Sequence, residues 1–372
     1  MEHIDIAIAG AGIIGLATAL ELAAAGLRVV VFERGHAMCE CSWAAAGMLA
    51  ASDPENPSSL RQLSELSHSL YPGFLANIAR LSGEKIPIRT TQTLHGAHTL
   101  PPKAEALSAE AIHTIAPGLR QSDLKFFLLE EQSLDPRDLT QALPAAATAA
   151  GITLHEQTAV TAVVPQSGSV RIKTTRGEWS AAHFINACGA WASGLTSIPV
   201  APRKGQVLLV EIPEAFSHRL SVVLRIPDIY LVPRDGRRVL IGATVEDAGY
   251  DKHIDPAVIA ALHNAAAHLW PPIRSARVVE AWAGLRPAAP DSLPVIGPAV
   301  DHIIDTDRKN TGNTAPESTQ NTRSWLAIGH FRNGILLAPG TARLLRQMIL
   351  NEPLSIDATA FNANRFTASL AQ

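Results

Sequence analysis

The residues best suited to chemistry stand near the start of the chain. Gly10, Gly12 and Gly15, in GAGIIG, follow the apolar run IDIAIA and open a run of helix formers beginning at Ile13 and Ile14. Glycine at these spacings lets the backbone turn tightly and approach a pyrophosphate, whose charge then rests at the N-terminus of the helix. Glu33 follows Gly15 by 18 residues and ends the run RVVVFE, where a carboxylate can hold a ribose hydroxyl. A glycine turn alone is weak evidence; strand, turn, helix and acid in this order point to a dinucleotide. NAD and FAD both use the pattern. Cys39 and Cys41, with His36 nearby, have no fourth ligand or partner pair at metal spacing, so no metal site is expected. No nucleophile and base stand in a triad pattern, which suits a cofactor that accepts electrons while the protein orients the substrate.

The elements around these residues set the fold class. Residues 4–33 read as strand, turn, helix and strand, with Gly26 closing the helix. Such a βαβ unit needs a parallel sheet with covered faces, so the class is α/β. A polar helical stretch is expected over 57–80, and alternating strands over 89–99. Asp135 and Pro136 mark a helix start, with an end near Gly151 despite Pro144. Residues 152–164 read as strands, and 182–194 (AHFINACGAWASG) as a strand running into a glycine turn and helix. The runs GQVLLVEI, RLSVVLRI, IYLVPR and RRVLIGAT between 205 and 244 predict an antiparallel sheet. Asp255 and Pro256 start a helix to about Leu269, and RVVEAWAGLRP adds a strand. WLAIGH and the helix run from Gly334 restore the α/β pattern. Residues 305–323 contain no Val, Ile, Leu or Met and read as an exposed polar loop.

Composition narrows the function classes. At 372 residues the chain has room for two or three folding units. A formal charge of −3 offers no field for a polyphosphate backbone, so nucleic acid is not an expected partner. Three cysteines make no disulfide framework, and a reducing compartment, the cytoplasm, is expected. Residues 4–27 are apolar, but Glu2, Asp5, Glu21 and three glycines argue against a signal peptide or an integral membrane span.

Six further runs carry a resemblance. SWAAAGMLAA (42–51), INACGAWAS (185–193), RKGQV (203–207), YLVPRDGRRVLIGAT (230–244), GLRPAAPDSLPVIGP (284–298) and GHFRNGILLAPGTA (329–342) occur in this order. Together the chain resembles the D-amino-acid oxidase and glycine oxidase superfamily. The last three runs are most similar to its glycine oxidase branch in thiamine biosynthesis. The resemblance implies a Rossmann-like FAD-binding domain made of 1–85, 146–204 and 324–372. It also implies an α+β substrate domain of 86–145 and 205–300 on a mostly antiparallel sheet.

By the same resemblance FAD is held by Gly10, Gly12, Ile13, Ile14, Gly15, Glu33 and Arg34. Ser42, Ala45, Ala46, Gly47, Ala187, Gly189 and Trp191 continue the site, and Gly329, Arg332, Asn333, Gly334 and Ile335 complete it. No cysteine near GLRP matches the covalent attachment of related sarcosine oxidases, so the FAD is expected to be noncovalent. Arg286 is placed on the substrate carboxylate, where a planar guanidinium grips both oxygens. Tyr230 would add a hydroxyl donor there. Arg332 and its neighbouring glycines would bring N–H groups and positive charge to the flavin pyrimidine. Met48 would line the pocket, although a Met among alanines is commonly core filling. His330 is expected only to pack, and Cys188 to be buried beside the cofactor strand.

The implied function is FAD-dependent oxidation of a small amino acid (glycine, sarcosine or a small D-amino acid) to an imine, which hydrolyses to a 2-oxo acid and ammonia or amine. Oxygen, or another electron acceptor, reoxidises the flavin. A D-amino-acid dehydrogenase feeding a quinone and a nucleotide-binding module without turnover are the alternatives, and a homo-oligomer is left open. A tRNA-modifying role lacks the basic run it would need.

Overall fold

The computed structural model describes residues 4–120, 122–214, 220–299 and 323–369. The buried strand Ile4–Ala9 lies between Val29–Phe32 and Gly177–Asn186, parallel to both. Parallel neighbours need a crossover, and helix Ile13–Ala24 supplies it. Gly26 then takes φ +86°, a left-handed conformation in which an L side chain is strained. Thr153–His155 extends this sheet on one side and Ser324–Ile328 on the other, both in parallel, and Val295–Pro298 adds an antiparallel edge. The pleat sorts the apolar residues. Ile6 and Ile8 face a core built with helices Arg61–Ser82, Leu139–Ala149 and Gly334–Ile349, while Ala7 and Phe32 face the ribbon Val160–Gln166 and Ser169–Thr174.

A second sheet of seven strands runs in the order Arg277–Ala288, Ala201–Glu211, Arg238–Gly242, Ile229–Pro233, Val223–Ile226, Thr93–Ala97 and Lys125–Leu129. Every neighbour pair is antiparallel except Val223–Ile226 with Thr93–Ala97. Helix Pro256–Leu269, capped by the Asp255 carboxylate accepting from the Ala257 N–H, covers one face. The other face places Val207, Leu209, Val232, Leu240 and Trp282 against Trp43, Ala44, Ala46 and Met48. This contact lays the second sheet over the segment that follows the first βαβ unit. Gly284 permits it, because a Cβ there would come within 2.7 Å of the Ala44 Cβ. A small sheet of Met48–Leu49, Gln132–Leu134 and Ile88–Thr90 lies at the same junction.

The α/β class, the mostly antiparallel second sheet and the helices at 61–82, 139–149, 256–269 and 334–349 agree with the sequence reading. Three placements differ. Gly189–Gly194 forms a 3-10 turn rather than an α-helix. Val295–Pro298, expected in the second unit, pairs with Ser324–Ile328 in the first sheet. Leu139, Ala142 and Leu143, also placed with the second unit, pack in the core of the first. With those borders moved, the two-domain division is our proposal. The predicted polar loop lies outside the described residues, apart from Arg323, whose Nη1 donates to the Ala182 carbonyl at 3.4 Å. Among the described residues, no helix is long and apolar enough to cross a membrane.

Candidate active site

The glycine turn is built by close approach. A Cβ on Gly10, at φ +102°, would collide with the Ala187 carbonyl, and one on Gly15 would collide with the Gly10 carbonyl. The turn therefore packs directly on the end of the neighbouring strand, and only glycine fits. Gly12 caps the helix without a side chain of its own, and the Ser42 hydroxyl accepts from the Ile13 N–H at 3.0 Å. Glu33 is buried; its Oε2 accepts from the Ala11 N–H at 2.9 Å and its Oε1 from the Gly35 N–H at 2.8 Å. A carboxylate has about four acceptor positions, so capacity for hydroxyl donors remains. The Arg34 guanidinium stacks 3.5 Å above the Trp191 ring and donates to Glu40 at 2.7 Å.

From this turn a cavity of about 480 Å³ extends to the second sheet, within the range of small-molecule and cofactor sites. Of the residues expected to bind FAD, it is lined by Gly12, Ile13, Ile14, Ser42, Ala45, Ala46, Gly47, Ala187 and Gly189, and by Gly329, Arg332, Asn333, Gly334 and Ile335. Gly10, Gly15, Glu33, Arg34 and Trp191 are outside the lining: the two glycines shape the turn, and the other three stand beyond it. The last helix, Gly334–Ile349, begins on the cavity with no side-chain cap at Asn333. Two helix N-termini thus open on one space, which gives partial positive charge at both ends.

Arg286, Tyr230 and Met48 line the far part of the same cavity. Gly205 and Gly242 make room for the first two. A Cβ on Gly205 would strike the Arg286 guanidinium, and one on Gly242 would strike the Tyr230 phenol. Arg286 Nη1 donates to the Thr244 carbonyl at 3.0 Å, and its guanidinium is hydrogen-bonded to the Tyr230 hydroxyl. Among the described residues Arg286 has no acidic partner. Burial pushes the Tyr230 hydroxyl above its ordinary value, outweighing the pull of Arg286 and Arg234, so it remains a donor at neutral pH. Burial likewise raises the Cys41 thiol to about 11 and the Cys188 thiol to about 12, leaving both unreactive. The His330 ring, 3.0 Å from the Thr341 hydroxyl, is pushed down to about 3 by burial and is neutral.

Residues 5–348 match the family described as FAD dependent oxidoreductase. The chain belongs to this family. The oxidoreductase is 31% identical to the glycine oxidase of Pseudomonas aeruginosa, over 96% of this chain and 97% of that protein. It is 35% identical to the bifunctional protein ThiO/ThiG of Trichormus variabilis, over 97% of this chain but only 55% of the relative, so it spans about half the length of that protein. The crystal structure of glycine oxidase from Geobacillus kaustophilus superposes with a TM-score of 0.86 at 29% identity, covering 98% of this chain and 99% of that one. FAD is the cofactor of the oxidoreductase, and the cavity suits it. The turn, where a Cβ on Gly10 or Gly15 would clash, would bring backbone to a diphosphate, and the second helix N-terminus would suit the electron-rich flavin pyrimidine.

Arg332 of the oxidoreductase differs from expectation, and three lining residues have no counterpart in the expected site. Arg332 does not offer free charge: its Nη1 donates to Glu55 at 2.8 Å and its Nη2 lies 3.6 Å from Asp53. The residues missed are Asp53, Glu55 and Arg225, which line the cavity with it. Arg225 is directly opposite Tyr230 across the strand pair and is backed by Glu131 at 3.2 Å and the His95 Nδ1 at 3.0 Å. Its sequence signal was an arginine inside the apolar run SVVLRI, a position that a buried strand tolerates only when the charge is paired.

Proposed function

We propose that this oxidoreductase oxidises the Cα–N bond of glycine, sarcosine or a small D-amino acid. The imine so formed is hydrolysed to the 2-oxo acid and ammonia or amine, and oxygen takes the electron pair to give hydrogen peroxide. The single observation carrying this reading is Arg286, a half-buried guanidinium in the FAD cavity with no acidic partner among the described residues and a Tyr230 donor beside it. A substrate carboxylate supplies the missing counter-charge.

In this reading Arg286 grips both carboxylate oxygens and Tyr230 adds a donor, fixing the Cα over the flavin. FAD supplies the two-electron acceptor. The amine enters neutral, and its lone pair assists loss of the Cα hydrogen, so no side-chain base is assigned. Met48, Val207 and Ala46 give the cavity an apolar wall that limits the side chain and excludes water. Glu33 would take the ribose hydroxyls and the Gly334–Ile335 turn the pyrimidine oxygen. The glycine oxidases and ThiO/ThiG proteins among the relatives support the substrate class, and the resemblance to the thiamine-biosynthesis branch supports a role in that pathway.

A panel of glycine, sarcosine, D-alanine and L-alanine, read by peroxide formation, tests this. Peroxide in proportion to glyoxylate or 2-oxo acid supports it. Turnover only with a quinone or dye acceptor would make the protein a dehydrogenase, and no turnover with any amine would overturn the reading.

A further inference from the structure

Among the described residues, six charged side chains line the cavity: Asp53, Glu55, Asp228, Arg225, Arg286 and Arg332. Their pairing is uneven. Arg332 is held by Glu55 at 2.8 Å and by Asp53 at 3.6 Å, and Arg225 lies 3.6 Å from the same Asp53. Asp53 is thus shared between two guanidinia, with only 8% of its side chain exposed. Behind Arg225 stands Glu131, which does not line the cavity. Nη1 and Nη2 of Arg225 are buried and make no hydrogen bond among the described residues, so their donors are neutralised by charge but not saturated. Among the described residues, Arg286 is the one cavity guanidinium without an acid.

We infer that Asp53 and Glu55 determine specificity: by neutralising Arg225 and Arg332 they leave Arg286 as the one free cavity guanidinium among the described residues, so substrates with one carboxylate are accepted and those with two are refused. A second carboxylate, with the first on Arg286, would meet the paired cluster across a cavity of low dielectric. There it would face two carboxylates as well as two guanidinia already engaged, and would lose its hydration without gaining a counter-charge. The arrangement is specificity by an unfavourable contact with the wrong ligand rather than by a better one with the right ligand. This inference rests on the assignment of the substrate carboxylate to Arg286.

The segment carrying these acids is braced for the task. The Asp53 Oδ1 accepts from the Glu55 N–H at 3.0 Å, Asn56 Nδ2 donates to the Ala50 carbonyl at 3.1 Å, and Asn333 Nδ2 donates to the Asn56 side chain at 3.0 Å. The acids are therefore fixed relative to the turn that opens the last helix.

The test is binding, read from perturbation of the flavin absorbance of the FAD-loaded protein by acetate and by malonate. Wild-type protein should bind acetate in preference. Asp53→Asn and Glu55→Gln should each raise malonate affinity relative to acetate, by roughly tenfold for the buried Asp53 and less for the exposed Glu55. If Asp53→Asn fails to hold FAD, Glu55→Gln at the rim carries the test. An unchanged ratio, or equal shifts for both ions, overturns the inference. Acetate binding is also measured in Arg286→Lys. If it is undiminished there, the carboxylate assignment falls and this inference with it; a diminished value with an unchanged ratio overturns this inference alone.

Discussion

The guanidinium of Arg286 lies over Gly205 of the adjacent strand, at a spot where any Cβ would strike it. The absent side chain is what lets an arginine on Arg277–Ala288 reach across the sheet to the Thr244 carbonyl and the Tyr230 hydroxyl. Position 205 thus controls a residue 81 positions away. Gly205→Ala should leave the fold and FAD content intact but displace Arg286. The Michaelis constant for the best substrate should rise about tenfold or more with little change in melting temperature. Unchanged kinetics would show that the guanidinium can move aside without cost.

Arg286→Ala should weaken substrate binding strongly while FAD stays bound. Truncating one partner of a desolvated carboxylate pair costs roughly 2 to 5 kcal/mol, about 30-fold to several thousand-fold in kcat/KM. Arg286→Lys should recover part of this, since it keeps charge but loses the planar fork. Steady-state kinetics with flavin absorbance as the control decide it; loss of flavin in either variant would reassign the residue.

Tyr230→Phe should raise the Michaelis constant by the worth of one hydrogen bond to a charged group, about 1.5 to 3 kcal/mol, or roughly 10- to 150-fold. The Tyr230 hydroxyl is held above its ordinary value, so wild-type acetate affinity should show no Tyr230 titration below about pH 10. A step in affinity near neutral pH that vanishes in Tyr230→Phe would contradict this.

His330 makes stability fall in acid. Its folded value, near 3, lies below the ordinary value of 6.5, so between these pH values the unfolded chain binds the extra proton. The stabilisation is present above pH 6.5 and is lost as pH falls toward 3, by up to about 1.4 kcal/mol per pH unit. His330→Gln, which can still bond Thr341, should be less stable than wild type at pH 7 but should lose less on going to pH 5. Urea unfolding of the FAD-loaded protein at the two pH values checks this, and identical slopes would refute it.

Purified protein should be yellow and should release FAD, not a covalent peptide, on acid denaturation. Protein-bound flavin after denaturation would contradict the noncovalent expectation.

What the chain declared by itself was local. Gly10, Gly12, Gly15 and Glu33 lie within one βαβ unit, where strand, turn and helix periods are short-range, and Gly15 answers to the carbonyl of Gly10 five residues before it. The caps at Asp255 and Asp135 were legible for the same reason, since a side chain bonding an N–H two residues on is written in the order of residues. Arg286, Tyr230 and Arg332 were singled out because whole runs resembled a family, while their spacing alone was silent.

Tertiary structure decided which charges are free. Arg225, Arg286 and Arg332 are equivalent as letters, and only the folded chain shows that Asp53 and Glu55 occupy two of them and leave the third. The partners are separated by some 170 to 280 residues, and no local period carries that information. The edge strand Val295–Pro298 and the first part of helix Leu139–Ala149 belong to other units than expected for a related reason. A strand or helix pattern says which face is apolar, but which core receives that face is settled by the long-range pairing of sheets and helices.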